Sequence, residues 1–396
     1  MKTKNSGIPY RLRILFGCLI ILLTVTGSPV LLFLFWFFTP NRVNLILLIS
    51  ALLLIVLFGI LLLIRNIKWK PWLITLGTAA GVLLAVYVGN CFYQQWEKSI
   101  QIDERGVDLG KYEPFASNTK AASLDEPALL QFKKGDSIPR LDGATALYPV
   151  YSAFVRATYP QGDYPVWLDN GQVVCTNTVH AWERLIAGET DIIFTAAPSA
   201  EQKLLAANAG VQPVLTPIGK EAFVFFVNQS NTVDNLTLDQ VRGIYSGAVT
   251  NWKEVGGKNT AIRAFQRPES SGSQTALQSL MGDTPIMTPI QQDVADGMGG
   301  IIRRTAAYQN RDNAIGYSFL FYATEMVRDH DIKLLSLNGV TPNRENIRNG
   351  SYPASSFFYA VTNGPPDQTE QQLIDWILSA QGQALVDKTG YIPLSE

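Results

Sequence analysis

At 396 residues the chain is too long for one typical domain, since domains of about 100–200 residues put two or three units in it. Its net charge of −1, with 16% charged residues, is not the strongly basic balance of a nucleic-acid binder. The average hides a split: residues 1–92 hold eight basic residues and no acid, a charge of +8, so residues 93–396 carry −9.

Three apolar runs open the chain, about Ile14–Phe38, Val43–Ile64 and Trp72–Phe92. A helix crosses a bilayer with about 20 apolar residues, so each is long enough. Gly27, Ser28 and Pro29 predict a kink in the first. That run is too long for a cleavable signal peptide, and two more follow it. No ionisable group lies inside a run, which favours an anchor over a carrier. Lys2, Lys4, Arg11 and Arg13 precede the first run, and Arg65, Lys68 and Lys70 separate the second from the third. Arg42 stands alone in the other loop. The positive-inside rule then predicts a multi-pass protein of the inner or plasma membrane, N-terminus in the cytoplasm and residue 93 onward outside.

Residues 93–137 are polar and irregular, and read as a tether with one short helix around Ala121–Phe132. From Ile138 short strands alternate with amphipathic helices, the pattern of an α/β domain of parallel sheets. Expected strands are Arg140–Leu141, Val166–Leu168, Asp191–Thr195, Glu221–Val227, Thr260–Phe265, Ala314–Ser318 and Phe357–Thr362. Expected helices run from the Asp142–Thr145 turn to Thr158, over Thr178–Ala187, Glu201–Ala207, Thr237–Ser246 and Ser273–Met281, and as one last helix over Gln368–Thr389.

The stretch Arg267-Pro268-Glu269-Ser270-Ser271-Gly272-Ser273-Gln274 joins a strand to a helix. A helix N-terminus offers unpaired N–H groups and partial positive charge. Ser271 and Ser273 add hydroxyls, Gly272 allows close approach, and Arg267 can fork onto two oxygens with Glu269 to hold it. A plain serine cap explains the serines equally well. Gly143-Ala144-Thr145-Ala146 and Asn177-Thr178 are further helix starts where a threonine is either cap or ligand donor. Three such starts and an arginine suit an oxyanion held by neutral donors. His180 and His330 have no Cys or His at ligand spacing, so neither a metal nor another cofactor is expected. No Gly-x-Ser-x-Gly elbow is present, and no catalytic residues are assigned. Lone Cys175 reads as a buried structural residue.

Residues 138–396 resemble the phosphate-binding proteins of ABC importers, a branch of the type II periplasmic-binding-protein superfamily. The likeness runs through Gly143–Thr145 with Pro149-Val150-Tyr151, Asp191–Thr195 with Ala197-Pro198, Ile244-Tyr245-Ser246-Gly247 and Asn251-Trp252. It continues through Arg267–Gln274, Ala314-Ile315-Gly316-Tyr317, Asn349-Gly350-Ser351-Tyr352-Pro353, Gly382-Gln383 and Gly390-Tyr391-Ile392-Pro393-Leu394. The resemblance implies a two-lobed α/β fold after three transmembrane helices: anchor 1–92, tether 93–137, lobe one 138–216 with 352–396, and lobe two 217–351. It implies ligand contacts from Thr145, Ala146, Thr178, Arg267, Ser271, Gly272 and Ser273, with phosphate or a similar oxyanion as ligand. An ABC importer permease or another membrane protein is the implied partner, and the implied role is phosphate uptake. The alternative is a ligand-sensing or partner-docking protein without transport. Ala196 stands where the family places an aspartate that accepts from protonated phosphate and repels a fully ionised oxyanion. A weaker or less selective site follows, or another acid such as Asp142 or Glu183 in its place.

Overall fold

The computed structural model describes residues 9–38, 42–65, 67–99, 108–168, 171–267, 269–288, 311–326 and 332–394. Three helices open it: α1 (Tyr10–Phe38), α2 (Arg42–Leu63) and α3 (Trp69–Ser99). All three are long and apolar enough to cross a membrane. Helix α1 carries Pro29 inside it. Glycines bring α1 against α2: a Cβ on Gly17 would lie 2.8 Å from Gly59 O. Tyr10 donates its hydroxyl to Leu63 O at 2.8 Å. Asn90 of α3 donates to Asn44 Oδ1 of α2 at 2.7 Å. Small residues and side-chain hydrogen bonds are the usual means of joining helices where no water drives packing.

The second unit runs in the order β1 (Leu141–Gly143), a 3-10 turn Thr145–Leu147, α4 (Tyr148–Thr158), α5 (Thr178–Ile186), β2 (Ile192–Ala196), α6 (Ala200–Asn208), β3 (Val214–Asn228), β4 (Asn235–Leu236) and α7 (Leu238–Ser246). It continues with β5 (Arg263–Ala264), α8 (Gly272–Met281), β6 (Ala314–Phe319), a π turn Tyr322–Met326, β7 (Ile332–Leu334), β8 (Ser336–Leu337) and α9 (Arg344–Arg348). Strand β9 (Ser355–Thr362) and helices α10 (Gln368–Leu378) and α11 (Ala380–Thr389) close it.

Among the described residues seven strands form one sheet, six of them in the order β1-β2-β9-β3-β6-β5, with β7 off this path on β3. The path is continuous because β3 serves both ends. Its Val214–Ala222 half pairs with β9 and its Phe223–Val227 half with β6. A register shift between Pro217 and Gly219 bends it on the way. One core gathers Tyr148, Phe154, Phe194, Trp376 and Leu385, and a second gathers Phe225, Tyr245, Trp252, Leu277 and Tyr317. The domain is therefore two α/β halves on a shared strand.

The expected parallel sheets are mixed. β1–β2 and β5–β6 are parallel, whereas β9 lies antiparallel to β2 and β3, and β3 antiparallel to β6. The expected last helix is two, because Ser379 turns to an extended ψ of 168° and caps α11. A Cβ on Gly382 would lie 2.3 Å from Ile377 O, so the second helix needs glycine there. Val166–Leu168 forms a turn, with Leu168 N on Pro165 O at 3.2 Å, and not a strand.

The expected helix Ala121–Phe132 does not form, and Pro127 interrupts that stretch. Residues 109–132, which open in a 3-10 turn Leu109–Tyr112, instead lie along the first core as an irregular strap. Leu109, Ala121, Ala128 and Phe132 are buried. Arg156 of α4 donates to Ala121 O at 2.5 Å, and Gln381 of α11 bonds both Leu129 N and Pro127 O. Lys388 pairs with Asp125 at 2.7 Å.

Candidate functional site

Strand β1 ends in Asp142-Gly143, and the chain turns at once. A Cβ on Gly143 would lie 2.5 Å from Phe194 O, so only glycine lets β1 run this close to β2. Thr145 and Ala146 form the 3-10 turn that follows, and Tyr391 donates its hydroxyl to Ala146 O. Cys175 lies behind the turn with Sγ 3.5 Å from Gly143 O. Burial pushes its thiol up to about 12, so it stays a protonated packing group.

Thr178 is the first residue of α5 and is 8% exposed. Asn177, at φ +79°, caps the helix by accepting from Val179 N and His180 N at 3.0 and 3.3 Å. Those two amides are therefore spent, and the side chain of Thr178 is what this helix start offers. Asp142 ties the two starts together. Its Oδ1 accepts from Gly143 N at 2.7 Å and Thr176 N at 2.8 Å, while Oδ2 accepts from Thr176 Oγ1 at 2.7 Å and faces Arg184 Nε at 3.1 Å. Burial raises its carboxyl above the usual range, opposed by these bonds and by Arg184.

The third start is α8. Ser271 is its N-cap, accepting from Gln274 N at 3.3 Å, and Gly272 and Ser273 are its first residues. The cap uses a lone pair of Ser271 and leaves its O–H able to donate. Arg267 N donates to Tyr317 OH at 2.8 Å and to Gln274 Oε1 at 3.1 Å, and Tyr317 OH also donates to Gln274 Oε1. Strand β6 thus holds the arginine's backbone through Tyr317. Glu269 Oε1 accepts from Gln278 Nε2 at 2.5 Å.

The starts of α5 and α8 meet. A Cβ on Gly272 would stand 3.4 Å from Thr178 Oγ1, 3.7 Å from Phe319 Cε2 and 3.9 Å from Ala196 Cβ. Thr178, Gly272 and the unusual Ala196 therefore share one place between the halves. Neither acid expected to replace the missing carboxylate does so. Both oxygens of Asp142 are occupied inside the first half. Glu183 is exposed and pairs with His180 Nδ1 at 2.8 Å. Among the described residues no group of three His, Cys, Asp or Glu is arranged to hold a metal. Sequence reasoning missed Tyr317, Gln274 and Phe319 as supports of the loop. The likeness had flagged Tyr317 in Ala314–Tyr317 and Gln274 in Arg267–Gln274 without giving either a task, and Phe319 lies in no flagged motif.

The fold is that of a two-lobed α/β domain. The PBP superfamily domain matches residues 134–381, and the chain belongs to that family. Phosphate-binding protein PstS of Bacillus subtilis is 31% identical over 173 residues, 43% of this chain and 54% of that protein. PstS of Borreliella burgdorferi is 28% identical over 184 residues, 45% of this chain and 64% of that protein. The chain thus spans somewhat over half the length of these curated relatives. A Clostridium perfringens crystal structure, assigned as a phosphate ABC transporter substrate-binding protein with bound phosphate, is 26% identical at a TM-score of 0.48, covering 64% of this chain and 98% of that one.

Proposed function

We propose that this protein is a membrane-anchored, extracytoplasmic solute-binding protein that takes up a tetrahedral oxyanion between its two halves. Phosphate is the first candidate, because the relatives from Bacillus subtilis and Borreliella burgdorferi are phosphate-binding proteins. The observation that carries the reading is the meeting of Thr178 with the Gly272 start of α8, next in sequence to the Arg267 loop. Thr145, Ala146, Thr178, Ser271, Gly272 and Ser273 supply neutral donors, and Arg267 supplies the charge. Each donor–anion bond is charge-assisted and so stronger than a neutral pair. The −9 charge of residues 93–396 opposes long-range capture of an anion, so affinity comes from these short-range contacts.

Helices α1 to α3 serve as the anchor, N-terminus in the cytoplasm. The partner in this reading is an importer permease in the same membrane. Isothermal titration of the purified chain with phosphate and with sulfate tests the binding claim. Heat with at least one is expected, and none with either sinks it.

A further inference from the structure

Helix α6 reaches across the domain to the loop before α8. Its first turn is built by a capping box. Ser199 Oγ accepts from Gln202 N at 3.1 Å, and Gln202 Oε1 accepts from Ser199 N at 2.9 Å. That fixes the Gln202 amide so that its NH2 points at the loop before α8, where it donates to Ser270 O at 3.0 Å. Ser199 Oγ lies 3.1 Å from Ser270 Oγ. Ser270 Oγ also donates to the carboxylate of Glu201.

The two sides belong to different halves. Helix α6 follows β2, while α8 carries Leu277 and Met281 into the second core. Ser199, Gln202 and Ser270 are 3%, 3% and 4% exposed, so water does not compete for the bonds among these three, while Glu201 reaches Ser270 from an exposed position. Ser270 sits at φ +60°, a conformation a side chain keeps only when its surroundings over-determine it. The next residue is Ser271, the cap of the anion-facing helix.

We infer that Glu201, Ser199 and Gln202 form a clasp that holds Ser270 and closes the domain on its own account. None of the clasp bonds includes a ligand atom. They therefore weight the domain toward the closed arrangement before any anion arrives. A ligand then binds a form that is already populated, and less of its binding energy goes into closure. The same clasp shapes the Arg267–Ser273 loop from its first half. Its effect on affinity rests on the oxyanion reading, whereas its effect on closure does not.

The test uses the full chain in nanodiscs, with Cys18→Ser and Cys91→Ser and Cys175 left in place because it is buried. Asp163→Cys and Lys258→Cys, exposed and one in each half, carry spin labels, and electron–electron resonance reads their separation without added anion. The expected parent shows one short separation. Glu201→Ala and Ser270→Gly add a longer population, and glycine suits φ +60° so the second variant is not penalised by strain. Glu201→Gln keeps the short separation, since its amide oxygen still accepts. Inorganic phosphate is then titrated, and the two opening variants bind it about tenfold more weakly, the size expected for one hydrogen bond to a charged group. An unchanged separation in both Glu201→Ala and Ser270→Gly, with unchanged circular dichroism, overturns the clasp. Opening without loss of phosphate affinity overturns its role in binding. Opening in the variants with no phosphate binding even by the parent leaves the clasp standing and removes the oxyanion reading.

Discussion

Thr178 Oγ1 and Gly272 face each other so closely that a methyl group on Gly272 would stand 3.4 Å from that oxygen. The contact joins the start of a helix in one half to the start of a helix in the other. On the proposed reading, a side chain added at Gly272 would compete with an oxyanion for that place.

Gly272→Ala follows directly. Contacts of 3.4 to 3.9 Å are ordinary packing distances, so the variant folds and melts like the parent. On the proposed reading, the methyl nevertheless occupies space the ligand needs. Phosphate affinity falls by about tenfold or more, the cost of one charge-assisted bond, as read by calorimetric titration.

Ala196→Asp adds the acceptor that this site lacks. Ala196 ends β2 opposite Phe358, with its Cβ 3.9 Å from the Cβ position of Gly272. A carboxylate there repels an anion that carries no proton and accepts from one that does. The variant keeps phosphate binding and loses sulfate binding, measured side by side at one ionic strength. Unchanged sulfate affinity would count against Ala196 facing the ligand.

Arg267 depends on Tyr317 for its place. Tyr317→Phe leaves Arg267 N with Gln274 Oε1 alone. Phosphate affinity drops a few-fold. Arg267→Lys replaces a planar fork with a point charge, and the loss reaches about 10–100-fold, in line with about 1.5–3 kcal/mol for a charged hydrogen bond. Equal losses in the two variants would show that the tyrosine does more than position the arginine's backbone.

Glu221 gives the domain a pH dependence. It is 6% exposed on β3, accepts from Phe321 N at 2.8 Å, and burial pushes its carboxyl from 4.5 up to about 8. Between those values the folded chain keeps a proton that the unfolded chain has released. Stability therefore falls as pH rises through that window and levels off above about 8. Glu221→Gln flattens the profile and raises Tm at pH 8, by about 2–4 °C for each kcal/mol recovered. A variant whose Tm still falls with the parent's slope would assign the dependence to other groups.

Elements with a local signature were legible. Helix α7 announces itself with Thr237 and Gln240, and the structure shows that capping box complete. Strand β6 reads directly from Ala314–Ser318 and extends by one residue. Strand β3 was seen only as Glu221–Val227, because Pro217, Gly219 and Lys220 break the apolar run of its first half. What holds that half is its pairing with β9, a partner far along the chain. The strap 109–132 looked like a tether because its buried residues Leu109, Ala121, Ala128 and Phe132 follow no period. In the candidate site, Thr178 and Gly272 were named from helix starts, and the structure brings those two starts together. The clasp was not foreseen, since Ser199, Glu201 and Ser270 are ordinary surface letters until the fold brings them together.

The route of the chain through the sheet orders its assembly. Strand β2 has β9 as its antiparallel neighbour, and α10 and α11 complete the core that the strap and α4 begin. The half made first during synthesis is thus finished last. The segment from β3 to β8 carries most of the second core and can condense while the C-terminus is still being made. Until β9 arrives, the edge of β2 and the apolar face of α4 stand open, as non-local pairing requires. A chain truncated before Ser355 would then keep a structured middle and an aggregation-prone beginning.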